Sequence, residues 1–333
     1  MSNGSIWSGF DFSSLAGCRA LVTGGAGFIG SHLATALDSI GAKVTVLDDL
    51  SAGGDPKELP AGVDFVRGSI LDLAVVGDCV AGRQFVFHQA ALGSVPRSVE
   101  QPRLFNEVNV TGTLNVLEAA RQGDVRRVMF AASSSAYGDS EALPKVETMP
   151  ANPRSPYAAN KVACEAMMSA YAASYSLDTV NLRYFNIFGP RQSPDNAYAA
   201  VIAAFAKALL NGQHPQIYGD GTQSRDFTYV DNVVLANLLA ARAEAPLNGA
   251  VYNVACGQRI TVTELAHEMA RLLDRPELTP VCKPQRTGDV KHSLADLSSI
   301  KSRLGYLPAV GFREGLASTV KWYASVLQNP RAI

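Results

Sequence analysis

Residues 19–37 read RALVTGGAGFIGSHLATAL: an apolar run, a glycine-rich turn, then apolar and small residues at helical spacing. Gly24, Gly27 and Gly30 sit where the strand-like run must turn into the helix. Without side chains such a turn tightens, its backbone N–H groups can approach a pyrophosphate, and the helix packs close to the strand while its N-terminus attracts negative charge. The next apolar run, KVTVLD, ends in Asp48 at the distance expected of a ribose-binding acid. A carboxylate there accepts hydrogen bonds from a ribose diol and repels a 2′-phosphate, so the dinucleotide expected is NAD rather than NADP.

Working outward, further β-rich runs follow: VDFV, QFVFHQA, RRVMFAA and DTVNLRYF, separated by amphipathic stretches at 28–40, 102–121 and 156–175. Strands apolar on both faces belong in a parallel sheet covered by helices, so the fold expected is α/β with a Rossmann-type doubly wound sheet. After Phe185 the texture changes to helical segments near 198–211, 230–243, 261–274 and 311–327, joined by Gly/Pro-containing loops such as QIYGDGTQSRDF. The expected organisation is an N-terminal extension over 1–17, a dinucleotide-binding domain over 18–185 and a smaller mixed α/β substrate domain over 186–333, with the chain crossing between the two.

Composition narrows the function classes. The 333 residues are 47% apolar and carry 29 basic against 30 acidic side chains, with no long run of like charge to track a phosphate backbone. Neither nucleic acid nor a membrane is expected as a partner. The first sixteen residues lack a basic start and an apolar core, and no continuous apolar stretch is long enough to span a bilayer, so a cytoplasmic protein is expected. Cys18, Cys79, Cys164, Cys256 and Cys282 lack metal-ligand spacing and read as buried reduced thiols, with no metal site.

A second stretch carries chemistry: SPYAANKVACEAM, 155–167. Ser155-Pro156 starts a helix, which puts Tyr157 and Lys161 on one face. An ammonium near a phenol favours the phenolate, and a cationic nicotinamide ring pushes the same way, making tyrosine a base near neutral pH. Alone, this spacing reads more readily as a core tyrosine and a solvated lysine; beside the upstream glycine turn it reads as a catalytic pair.

Together with HQAALGSVPRS, NVTGTLNVLEAA, ASSSAYGD, LRYFNIFGPRQ, YGDGTQSRDFTYVDN and TGDVKHSLAD, these stretches resemble the extended short-chain dehydrogenases/reductases, and among them the nucleotide-sugar 4-epimerases, from about residue 19 to 327. The resemblance implies reversible hydride chemistry on a sugar held by its UDP handle, with NAD recycled in the site. It places Ser133 as the hydroxyl bridging the sugar 4-OH and Tyr157, with Ser134 and Ser135 as competing assignments. It implies cofactor contacts at Gly24, Gly27, Phe28, Ile29, Gly30 and Asp48, and further on at Ser69, Ile70, Ala90 and Asn109, besides Tyr157 and Lys161. The serine triplet argues against a 4,6-dehydratase, whose elimination needs an acid and a base next to the catalytic hydroxyl. The glutamate usual in UDP-glucuronate decarboxylases is absent from the same turn.

For the substrate, the resemblance places Arg225 and Arg286 on the diphosphate, where a guanidinium fork outperforms a lysine. Asp289 would hold the uridine ribose, Tyr218 would stack on uracil, and Asn186 would border diphosphate and sugar. Gly93, Ser94, Ala200 and Ser293 resemble the subgroup acting on N-acetylhexosamines, small residues leaving room for a 2-acetamido group that Ser94 would hydrogen-bond. UDP-GlcNAc/UDP-GalNAc is therefore the expected pair. UDP-glucose and UDP-glucuronate 4-epimerases share most of these motifs, and Arg97 or His292 would suit an acidic sugar. A catalytically inactive NAD-binding regulator on the same fold is the alternative of another class. The resemblance also implies a homodimer built through helices near 102–121 and 156–175.

Overall fold

The structure, a computed structural model, describes residues 9–193, 201–284 and 291–328. Six strands alternate with helices through the first half: β1 (Arg19–Thr23), β2 (Lys43–Asp48), β3 (Asp64–Arg67), β4 (Phe85–His88), β5 (Arg127–Ser133) and β6 (Thr179–Tyr184). Between them run α1 (Phe28–Ser39), α2 (Leu73–Val80), α3 (Val95–Glu100), α4 (Pro102–Asn106), α5 (Gly112–Gln122) and α6 (Pro156–Tyr175). A π-helical turn, Glu107–Thr111, joins α4 to α5. The second half contributes β7 (Ile187–Phe188), α7 (Val201–Leu210), β8 (Gln216–Tyr218), β9 (Ser224–Arg225), β10 (Thr228–Tyr229) and α8 (Val230–Arg242). It continues with β11 (Ala250–Val254), β12 (Ile260–Thr261), α9 (Val262–Leu272), β13 (Val281–Lys283), α10 (Ser298–Leu304) and α11 (Phe312–Gln328).

The main sheet has seven strands in the order β11-β6-β5-β4-β1-β2-β3, every neighbouring pair parallel. This is the doubly wound Rossmann-type sheet expected. Strand order reverses between β1 and β4, and open α/β sheets bind ligands in the crevice beyond the strands' carboxyl ends at such a point. The chain crosses back through β11, which pairs with β6, and through α8, which packs on β5 and β6. Except for Asp231 and Arg242, α8 is buried along its length, as a helix wedged between sheet and α1 must be.

A second core lies among α7, α9 and α11 around Phe188, whose ring meets Phe227, Tyr229 and Phe312 at 5.7–6.3 Å between centroids. Ile29 and Ile187 pack against both cores, so the first turn of α1 and the start of β7 form the seam between the layers. Two details depart from expectation. Cys282 on β13 is exposed and Cys256 only partly buried, rather than buried thiols, and β11, α2, α3 and α10 were not anticipated. No helix among the described residues is long and apolar enough to cross a membrane.

Candidate active site

The glycine turn sits at the mouth of the crevice. Gly24 has φ +67°, and a Cβ there would lie 2.6 Å from the Ala90 nitrogen. A Cβ on Gly30 would lie 2.2 Å from the Gly24 carbonyl, so the first turn of α1 approaches the turn backbone as only glycine permits. No side chain caps α1 at Gly27, which leaves its first-turn N–H groups for an anion. Asp48 receives the Ala26 N–H at 3.0 Å and the Leu50 N–H at 2.8 Å on different oxygens, keeping lone pairs for a diol. Burial raises its carboxyl while these N–H groups pull it down. The cradle thus fits a dinucleotide with a free ribose diol.

The adjoining walls are held from behind. Ile70 packs against Gly112, where a Cβ would meet Ile70 Cδ1 at 2.4 Å, and Asn115 donates to the Ile70 carbonyl at 3.0 Å. Ser69 accepts from the Leu71 N–H at 3.3 Å, and Ala90 donates to Thr23 Oγ1 at 3.3 Å. Phe28 and Ile29 are half-buried at the seam. Asn109 is buried in the π-helical turn with its amide spent on Leu92, accepting the N–H at 2.8 Å and donating to the carbonyl at 3.1 Å. Its influence on the site passes through the 89–94 loop that carries Gly93 and Ser94.

Tyr157 and Lys161 do share a face of α6, below the end of β5. Lys161 Nζ donates to the Ala131 carbonyl at 2.7 Å and lies 4.7 Å from the Phe130 ring centroid and 6.0 Å from that of Tyr157. Burial drops its pKa to about 8. The phenol departs from expectation: burial raises it, the Ser133 side chain is the group pulling it down, and the ammonium is committed to a backbone carbonyl instead. The protein by itself therefore keeps Tyr157 protonated at neutral pH. Among the three serines, Ser133 is the one facing the phenol; its Oγ accepts from Ser135 N–H at 3.2 Å and from Ser135 Oγ at 2.8 Å.

Across the crevice, Asn186 (φ +40°) donates to Ser293 Oγ at 3.1 Å, so two substrate-side residues far apart in sequence meet directly. Arg225 on β9 is half-buried, its Nη1 donating to the Ser224 and Lys291 carbonyls at 3.1 Å. Tyr218 is half-buried at the end of β8. Gly93 is exposed with open space where a Cβ would point, and Ser94 caps α3 by accepting from the Arg97 N–H at 3.3 Å. Ala200, Arg286 and Asp289 lie outside the described residues.

Several supporting residues escaped the sequence reading. Ser98, within the quoted SVPRS, is fully buried and accepts the Tyr157 backbone N–H at 3.1 Å, pinning the turn of α6 that carries Tyr157. His88 bridges Thr23 at 2.7 Å and Thr113 at 2.9 Å, and burial lowers its pKa to about 3, so the imidazole is neutral. Glu165, one turn beyond Lys161, pairs with Arg183 through 2.9 Å and 2.7 Å bonds, both buried.

Comparison with known proteins agrees with this geometry. Residues 20–255 match the epimerase family described as NAD dependent epimerase/dehydratase. A UDP-glucose 4-epimerase of Mycolicibacterium smegmatis is 40% identical over 317 residues, covering 93% of this chain and 100% of the relative. A UDP-N-acetylglucosamine 4-epimerase from Methanobrevibacter ruminantium M1, solved with UDP-N-acetylmuramic acid, superposes with TM-score 0.88 at 39% identity, covering 93% of this chain and 99% of the other. A UDP-glucose 4-epimerase from Thermotoga maritima, solved with UDP-glucose, gives TM-score 0.88 at 37% identity with the same coverage.

Proposed function

The chain belongs to the NAD dependent epimerase/dehydratase family and is an NAD-dependent UDP-sugar 4-epimerase; on that premise we propose that its preferred pair is UDP-GlcNAc and UDP-GalNAc, with Tyr157 as the base. NAD, when bound, supplies an acceptor that takes hydride from the sugar C4 and returns it. Tyr157 takes the 4-OH proton and later restores it, and Ser133 lies between phenol and sugar as the hydrogen-bonding bridge. Lys161 keeps a cation at the base of the pocket, where it stabilises a phenolate once one forms. Arg225 and Asn186 hold the diphosphate side, so the 4-ketosugar can turn about its phosphate linkage and present its other face.

The observation that carries epimerisation, rather than dehydration, is the company of Ser133. The neighbouring positions are Ser134 and Ser135, and hydroxyls there supply neither the acid nor the base that loss of water across C5 and C6 requires. For the sugar, support comes from open space at Gly93 and the small Ser293 beside Asn186, which leave room for a 2-acetamido group. A homodimer through α5 and α6 belongs to the same reading. The test incubates the purified protein, without added NAD, with UDP-GlcNAc, UDP-glucose and UDP-glucuronate separately and follows C4 configuration by NMR. Fastest conversion of UDP-GlcNAc is expected. A higher kcat/KM on either other sugar overturns the preference, and no conversion by an NAD-loaded protein favours a non-catalytic regulator.

A further inference from the structure

Asp226 follows Arg225 and is fully buried, 0% exposed. Its carboxylate takes three backbone N–H donors from two distant segments: Oδ1 from Cys256 at 3.0 Å, and Oδ2 from Gly257 and from Ala295, each at 3.1 Å. Its backbone joins the same knot, the N–H donating to Ser293 Oγ at 3.3 Å and the carbonyl accepting from Asn186 Nδ2 at 3.1 Å. Ser224 and Asp226 are buried while Arg225 between them is half-buried, as alternation along an extended chain requires. The carboxylate therefore ties the segment after β9 to those after β11 and around 295, and the Asp226 main chain adds Asn186 after β6 and Ser293.

The charge is costly where it sits. Burial raises the carboxyl to about 6 against the pull of the backbone N–H groups. With its folded pKa above the unfolded value, the stability this group contributes is lost as pH rises through that interval. Fold stability alone does not call for an ionised group here, whereas three converging N–H donors need more acceptor capacity than one amide oxygen offers.

We propose that Asp226 is a positioning residue for the nucleotide-sugar: its carboxylate anchors this stretch to the 256–257 and 295 backbone, and its main chain, so fixed, holds Asn186 and Ser293 beside Arg225, so that all three meet one substrate. The proposal rests on the UDP-sugar reading of this wall. It acts on binding, remote from the proton and hydride at C4.

Asp226→Asn tests it, because the amide keeps the shape but sets an NH2 against at least one of the three N–H groups. The expected result is a KM for the UDP-sugar raised about tenfold or more with kcat within about threefold, the pattern of lost uniform binding, together with a matching loss of UDP affinity by calorimetry. NAD content should be unchanged. Unchanged KM and UDP affinity overturn the proposal, as does parallel loss of kcat and NAD content, the mark of general disorder. A wild-type protein that binds UDP but converts no sugar fails the epimerase reading, and the UDP affinities of the two proteins still decide the role of Asp226. If the variant does not fold, hydrogen exchange on the wild type decides. Linkage is reciprocal, so UDP must increase protection in peptides spanning 255–258 and 293–297. Protection there that ignores UDP overturns the proposal.

Discussion

Lys161 is 3% exposed and its ammonium is hydrogen-bonded to the Ala131 carbonyl, so the cation near the Tyr157 phenol is held at the expense of solvation. Its pKa of about 8 lies below the ordinary 10.5. The native state therefore binds fewer protons than the unfolded chain between those values, and the stability contributed by this group rises with pH there. Activity should do the opposite: kcat/KM falls as pH rises through about 8 and the ammonium is lost, a decline that Lys161→Arg, slower overall, should not show in a pH–rate profile. Tyr157→Phe removes the proposed base and is expected to lower kcat by about 10²–10⁴-fold with NAD content kept, measured by NMR turnover and by absorbance of released cofactor. These side chains were legible in the sequence because their chemistry is carried by residue type at short spacing. Ser98 and Asn115 were not: each acts through a backbone hydrogen bond to a partner 59 or 45 residues away, and nothing local marks such a contact.

At the scale of elements, β1, β2, β4, β5 and β6 announce themselves because a strand buried on both faces is a continuous apolar run, RVMFAAS being the plainest, whereas the edge strand β3, DFVR, has no buried residue. The edge strand β11, AVYNV, is only partly buried at its start and follows a polar, proline-containing loop, so its pattern is weak although it completes the sheet. Long-range caps are equally invisible. Arg127 opens β5, is 1% exposed, and donates to the Ala240, Ala243 and Ala245 carbonyls at 2.6–3.1 Å, closing the C-terminal end of α8 while pairing with Asp178. Arg127→Met leaves those carbonyls without their donor and the largely buried Asp178 carboxylate without its cation, with the Leu247 and Asn248 N–H groups remaining on it, and should cost about 3–5 kcal/mol in denaturant unfolding, the range for breaking a buried pair. Gly30→Ala acts on a different link, the approach of α1 to its turn. A methyl 2.2 Å from the Gly24 carbonyl must push the cradle open, so the purified variant should carry much less NAD while its far-ultraviolet dichroism stays that of the wild type.

For the whole molecule, the outer face of α6 poses a packing problem that one copy leaves open. Ala159, Ala163, Ala166, Ala170 and Ala173 are all exposed and recur at three- and four-residue steps, one smooth seam along the helix. Beside it, Leu104 and Leu114 are each 39% exposed, and Pro102, Arg103, Asn106, Glu107, Pro156 and Asn160 line an open groove. The Asn160 Oδ1 is buried without a hydrogen-bond partner. Small residues let helices approach closely, and a two-fold axis through this face would lay α5 and α6 against the same pair of a second copy. The face of α6 that carries Tyr157 and Lys161 points the other way, so the same helix would brace the proposed site through its back. Ala166→Arg, in the middle of the seam, places a long cation where a monomer has only solvent, and it should leave thermal unfolding of the isolated chain nearly unchanged. Light scattering after gel filtration is expected to give twice the chain mass for the wild type and one chain for the variant; a wild type that runs at a single chain mass removes this face from consideration.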